Sequence, residues 1–296
     1  MSEKVRIGVG LGRGALSPEE LGAVADALVE AGLDSIWLSE VLTSQSFDPF
    51  VALAYLAARQ PRLKLGTTML LPGRNLVRLA KSLASLDCLS SGRLLVTFVP
   101  GLAISPEREA IGFDFGHRGQ AIDEGLPVLR RLLEGETVSH SGIGGSFENV
   151  TLAPIAVQQP IEFWLGGMAA SSLERCGRLG DGWLPSLCTP DEAAQGRKVI
   201  EEAADRAGRE IDPGHFGVSV GYARTPLDDT AVRSLAPRGR RSRPELVPVG
   251  REGLRACIES FVAVGFSKFV ARPVQPPGSW TDELGWLAES ASDLQT

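Results

Sequence analysis

Eight times along the chain a short apolar run gives way to a segment with apolar residues at helical spacing. The first cycle is the clearest. Residues 5–11, "VRIGVGL", alternate like a strand; then Ser17, Pro18 and Glu20 stand where an N-cap, an N1 proline and the N3 partner of a capping box belong, and Gly32 closes the helix. Further strands are expected at 35–40, 63–71, 93–100, 161–167, 182–186, 215–224 and 266–274. Helices are expected at 48–60 with Asp48 as cap, 75–90 with Asn75 as cap, 117–135 despite Pro127, 169–180, 190–208, 251–265 and from about Ser279.

Eight strand–helix units are the pattern of an α/β fold of the (β/α)8 TIM-barrel type. A doubly wound open sheet is the alternative, but it usually has fewer strands. No Pro/Gly-rich linker divides the 296 residues, so one barrel domain spanning 1–296 is expected. Two excursions interrupt the alternation. Residues 138–154, after strand four, read as a hairpin or glycine-rich detour; residues 225–250, after strand seven, form a long segment at the end of the barrel where lids occur.

With 43% hydrophobic and 22% charged residues the chain can bury a large core. A net charge of −6 argues against a nucleic-acid partner or an acidic membrane surface. Cys88, Cys176, Cys188 and Cys257 are far apart and form no CxxC pair, which suits a reducing compartment and gives no zinc pattern. The N-terminus enters a strand without an apolar signal core, and the longest apolar run, 50–58, is too short to span a bilayer. A cytoplasmic protein is expected.

In a barrel, chemistry lies at the C-terminal ends of the strands. That rule selects Gly12 and Arg13 after strand one, Ser39 and Glu40 after strand two, and Thr67, Thr68 and Met69 on strand three. It adds Pro100, Gly101 and Leu102 after strand four, Gly166, Gly167 and Met168 after strand five, Trp183 and Pro185 near strand six, then Arg224 and Arg272. In "WLGGMAASS" (164–172) a strand meets two glycines and a helix N-terminus, a place that suits a phosphate and equally a simple chain reversal. Gly66 inside strand three marks either a bulge or a tight barrel interior. The three histidines stand apart from one another, so no metal site is expected, and no Gly-x-Ser-x-Gly elbow is present. "GVGLGRG" (8–14) lacks the spacing of a dinucleotide fingerprint. "PRGRRSRP" (237–244) is either a solvated loop or a clamp for an anionic group.

Taken together, "DSIWLSE", the long block from "DPFVALAYLAARQ" to "LSSGRL", "EREAIGFDFGHRGQAIDEGLPVLRRLLEG" and "FWLGGMAASSLERCGRLGDGWLPS" resemble the bacterial luciferase-like monooxygenase family, in its branch that uses coenzyme F420. The resemblance implies a barrel with a deazaflavin or flavin across its mouth and hydride transfer to or from a small organic substrate. It implies cofactor contacts at Ser39, at a strand-three bulge formed by Gly66, Thr67 and Thr68 with a non-prolyl cis peptide, at Gly101, and at Gly166, Gly167, Met168 and Ala169 on the phosphate side. It also implies a homodimer and a small-molecule substrate, with a flavin or F420 reductase as a supplier of reduced cofactor.

Three departures stand out. Where the family often has an acid followed by histidine, this chain has Glu40 and Val41; strand four carries Thr97, Val99 and Pro100 with Leu102 in place of tryptophan; and the strand-seven segment is arginine-rich. Glu40 is the candidate acid/base catalyst, with a ring contact or a loop cap as its other readings. Three functions compete: an F420-dependent oxidoreductase, an FMN-dependent two-component monooxygenase, and a coenzyme-binding relative without activity.

Overall fold

The computed structural model describes residues 4–101, 106–228, 232 and 243–296. In chain order the strands are β1 (Arg6–Gly10), β2 (Ser35–Ser39), β3 (Lys64–Leu70), β4 (Leu94–Val99), β5 (Val138–Gly142), β6 (Gly145–Val150), β7 (Phe163–Leu165), β8 (Gly182–Trp183), β9 (Gly217–Tyr222) and β10 (Lys268–Pro273). The helices named below are α1 (Pro18–Glu30), α2 (Pro49–Arg59), α3 (Leu76–Leu89), α4 (Glu107–Ile111), α5 (Arg118–Leu133), α6 (Ala170–Leu179), α7 (Pro190–Arg206), α8 (Gly250–Ala263) and α9 (Trp280–Ala291). Eight strands form one parallel sheet in the order β8-β7-β4-β3-β2-β1-β10-β9. Single parallel bridges, Trp183 to Phe216 and Ser186 to Ser219, bring β8 to β9 and nearly close the barrel. The excursion after β4 contains the antiparallel pair β5–β6, as its glycines and alternating polarity suggest.

The expected caps form. Ser17 accepts from the Glu20 N–H while Glu20 reaches back to the Ser17 N–H, so two orphan donors of α1 are satisfied at once. Asp48 and Asn75 cap α2 and α3 with their side chains, and Thr189 with Glu192 repeats the reciprocal box at α7. Helix α5 runs through Pro127. Among the described residues no helix is long and apolar enough to cross a membrane.

Strand parity sorts the side chains. Ile7, Val9, Ile36, Leu38, Leu65 and Met69 are buried in the apolar layer against the helices. Residues of the other parity, including Gly8, Ser35, Trp37, Gly66 and Thr68, face the barrel interior, since register pairs Gly8 with Ser35, Trp37 with Gly66, and Ser39 with Thr68. Two indoles fill that interior. A β-carbon at Gly66 would lie 2.2 Å from Trp37 Cδ2, and one at Gly182 would lie 2.5 Å from Trp164 Cδ2. Each indole N–H donates to the residue two positions earlier, Trp37 to Ser35 at 2.9 Å and Trp164 to Glu162 at 3.2 Å, so both rings lean toward the N-terminal end of the barrel.

This corrects one expectation. β3 pairs with β2 from Lys64 to Thr68 and with β4 from Leu65 to Leu70 without a register shift, so residues 66–68 form no bulge. The cis peptides among the described residues precede Pro154 and Pro160, and none lies in β3. The glycine at 66 is required by the Trp37 ring beside it, which is the tight-interior reading of that position.

Candidate active site

The C-terminal ends of the strands bring some of the expected residues to one rim and leave others in the barrel wall. Ser39 ends β2 and is exposed. Glu40 leaves the strand but remains tied to β3, its N–H donating to the Thr68 carbonyl at 2.8 Å. Its side chain is only 5% exposed. One carboxylate oxygen accepts the Leu70 N–H at 2.8 Å; the other pairs with the Arg74 guanidinium. Arg74 in turn donates to the Leu70 carbonyl at 2.9 Å and lies over the Phe50 ring. Both oxygens of Glu40 are therefore engaged, and the group joins the ends of β2 and β3. Arg74 was absent from the sequence candidates; its signal was a cation just past strand three with an acid past strand two.

Val41 opens the next loop. Glu107 of α4 holds that loop from across the rim, accepting from the Leu42 N–H at 2.7 Å, the Thr43 N–H at 3.1 Å and the Thr43 hydroxyl at 2.7 Å. The loops after β2 and β4 are thus fastened together on one side of the mouth. A narrow cleft near this rim is lined by Leu11, Gly12, Ser39, Ser46 and Phe47.

The strand-three candidates separate by parity. Gly66 faces Trp37 inside the barrel. Thr67 pairs in register with Leu38 and Val96 on the helix-facing side, where its hydroxyl is buried without a hydrogen-bond partner among the described residues. Thr68 faces inward, half-buried, with Ser39 on one side and Thr97 on the other. The Thr97 hydroxyl, fully buried in the interior layer, also has no partner among the described residues. The sequence candidates placed Thr97 only as bulk; its orphaned hydroxyl requires the register to be seen.

Gly101 has φ +78° and a β-carbon there would meet Leu70 and Phe115, so glycine is required both by conformation and by space. Leu102 lies outside the described residues. Gly166 donates to the Phe98 carbonyl at 3.0 Å, and a β-carbon on it would lie 2.7 Å from Val99. Gly167 has φ +109°. Its carbonyl accepts from the Trp183 indole at 3.0 Å. Met168 is half-buried, and Ala169 is the N-cap of α6 with no side-chain cap. The first turn of α6 therefore keeps unsatisfied N–H groups and the positive end of its dipole beside a glycine turn. A second shallow cleft there is lined by Pro100, Gly166, Ser172 and Arg175, the last held by Asp123 at 3.0 Å.

The remaining polar candidates divide plainly. Arg224 pairs with Glu283 at 3.3 Å, and Glu283 also accepts the Tyr222 hydroxyl at 2.7 Å. Arg243 is held by Glu192 at 3.0 Å, and the other three arginines of the 237–244 cluster lie outside the described residues. Arg13 is exposed and Arg272 half-buried, and neither has an ion pair among the described residues. His215 lies at the opposite end of the barrel, against the Asp181 carbonyl at 2.9 Å. Three of the four thiols offer no nucleophile: burial raises Cys176, pushes Cys188 to about 12 and Cys257 to about 11, so these three stay protonated near neutral pH.

The glycine turn with its uncapped helix, and the orphaned hydroxyl of Thr97, fit a flat coenzyme with an anionic end. Known proteins resemble the chain along much of its length. The 5,10-methylenetetrahydromethanopterin reductase of Methanolobus tindarius is 28% identical over 206 residues, which cover 69% of this chain and 60% of the reductase. An F420-dependent glucose-6-phosphate dehydrogenase of Gordonia bronchialis is 26% identical over 231 residues, covering 72% of this chain and 66% of the dehydrogenase. In both cases the match spans less than two thirds of the relative's own length. The crystal structure of monooxygenase RslO1 from Streptomyces bottropensis superposes with a TM-score of 0.81 at 22% identity, covering 98% of this chain and 99% of that one, and establishes the same fold. The sequence profile of the luciferase-like monooxygenases matches residues 3–256, and the chain belongs to that family.

Proposed function

We propose that this protein is an oxidoreductase that uses the deazaflavin coenzyme F420 to move a hydride to or from a small organic substrate. The observation that carries this reading is the uncapped first turn of α6 behind Gly166 and Gly167, within a chain whose relatives include an F420-dependent dehydrogenase. The bound coenzyme supplies the hydride donor or acceptor; the protein holds and orients it. In this reading Ala170 and Ser171, in the first turn of α6, offer their N–H groups to the anionic end, with Gly167, Met168 and Ala169 beside it. Ser39, Thr68 and Gly101 line the ring side, with the Thr97 hydroxyl behind them. Glu40 acts through position: its links to Leu70 and Arg74 keep the rim of β2 and β3 in place, and each carboxylate oxygen already accepts a hydrogen bond there.

An FMN-dependent monooxygenase fed by a separate reductase is the second reading, supported by the fold shared with RslO1. One measurement separates the two. The protein is titrated with F420 and, separately, with FMN, following coenzyme fluorescence. Saturable binding of F420 with weaker FMN binding is the expected result. The reverse order supports the monooxygenase, and no binding of either refutes both. A homodimer is part of this proposal; sedimentation equilibrium tests it.

A further inference from the structure

We propose that Arg272, the unpaired interior arginine of β10, forms an anion site at the barrel mouth that takes a carboxylate or phosphate group of the substrate, with Arg13 within electrostatic reach. The inference rests on the functional reading above for the location of substrate.

Arg272 belongs to β10, next to Gly221 of β9 in the register, and on the interior parity with Val270. Glycines flank it on both sides. A β-carbon at Gly10 of β1 would lie 3.5 Å from Arg272 Cβ, and one at Gly221 would lie 3.5 Å from its Nη2. The guanidinium thus occupies a lane that larger neighbours would fill. Burial and the nearby Arg13 charge both hold Arg272 below the ordinary arginine value. No acid answers them: among the described residues neither arginine has a hydrogen bond or an ion pair, and Arg224, at the end of β9, is already held by Glu283.

Several other part-buried arginines of this chain are satisfied. Arg93 donates to the carbonyls of Gln60 and Ala57, Arg130 pairs with Asp181, and Arg175 pairs with Asp123. A half-buried guanidinium with a like charge nearby and no acid partner disfavours the empty state, and an anion beside it removes that cost. The guanidinium fork matches two oxygens of a carboxylate or phosphate. In the sheet order, β10 is separated from β7 by β9 and β8, so this pole is distinct from the helix end behind Gly167. One pole suits the coenzyme's anionic end and the other the substrate's.

The test uses inorganic phosphate as probe, against chloride at equal ionic strength, with thermal unfolding and calorimetric titration as readouts. F420 titrations run in parallel on the same proteins. Phosphate should raise the unfolding temperature of the wild type, as any ligand of the native state does. Arg272→Gln should weaken phosphate binding about tenfold or more, Arg13→Gln by less, and Arg272→Lys should fall between, because it keeps the charge and loses the fork. Arg272→Gln should unfold no more easily than the wild type without phosphate, because it removes an uncompensated charge. F420 affinity should change by less than about twofold in all three variants, which are remote from that pole.

No phosphate effect in the wild type, or an equal effect in Arg272→Gln, overturns the proposal. So does a parallel loss of F420 affinity in Arg272→Gln, which would assign the arginine to the coenzyme. A wild type that binds phosphate through Arg272 but neither coenzyme would refute the oxidoreductase reading and leave the anion site standing. If Arg272→Gln does not fold, Arg272→Lys and Arg13→Gln carry the same comparison.

Discussion

Glu40 can be tested as a positioning group without knowing the substrate. Glu40→Gln keeps an oxygen to accept the Leu70 N–H but loses the charge opposite Arg74. A hydrogen bond to a charged group contributes about 1.5–3 kcal/mol, and the Arg74 side chain retains some contact with water, so a loss of about 1–2 kcal/mol is expected. Glu40→Ala also strands the Leu70 N–H, whose residue is only 7% exposed, and an unsatisfied buried donor costs about 1–3 kcal/mol more. Arg74→Met completes a double-mutant cycle with Glu40→Gln, and a coupling of about 1–2 kcal/mol is expected for two side chains in direct contact. Urea unfolding followed by circular dichroism gives the stabilities, and coenzyme fluorescence gives F420 affinity for each variant. A coupling near zero would refute the argument. So would a Glu40→Gln protein with wild-type stability, because the lost ion pair would then hold nothing in place.

Other perturbations follow from single contacts. Gly167→Ala places a side chain at φ +109°, so a stability loss of about 1–3 kcal/mol is expected together with weaker F420 binding, read by the same two assays. Gly66→Ala should cost about 1–3 kcal/mol through overpacking against the Trp37 indole, and Trp37→Leu in the same chain should recover part of it; an unchanged cost in the double variant would separate Gly66 from Trp37. On the acid side, a hydrogen bond from Arg59 holds Asp26 below its ordinary 3.8, and the backbone N–H of Thr189, followed by Arg243, holds Glu192 below 4.5. Groups whose folded pKa is depressed stabilise the protein above their unfolded values and lose that contribution as pH falls through the folded ones. Stability should therefore decline as pH drops below the ordinary carboxylate range, and Asp26→Asn should flatten that decline in an acid titration followed by circular dichroism.

Much of this architecture could be read from the chain. Ser17, Asp48, Asn75 and Thr189 mark helix starts because their side chains satisfy orphan N–H groups locally, with no help from distant residues. Strand ends were less legible. Residues 161–167 suggest a seven-residue strand, yet the ladder holds only Phe163–Leu165, because Gly166 and Gly167 turn away to start α6. Some of the site was readable too: period-two alternation alone puts Thr67 on the face opposite Gly66 and Thr68. The pairings were not. Glu40 meets Arg74, and Gly66 meets Trp37, only through the register of neighbouring strands, and no local periodicity carries that information.

The two tryptophans inside the barrel bear on how such a protein diversifies. Trp37 and Trp164 plug the lower half of the tube, each against a glycine on the next strand. In the proposed function, cargo lies flat on that plug, like a plate on a table, and does not descend the axis. Discrimination between molecules then depends on outline and edge chemistry, not on depth. A lineage seeking new reactants would redraw the surrounding loops and leave the table untouched, and a laboratory library aimed at new reactants should be built the same way.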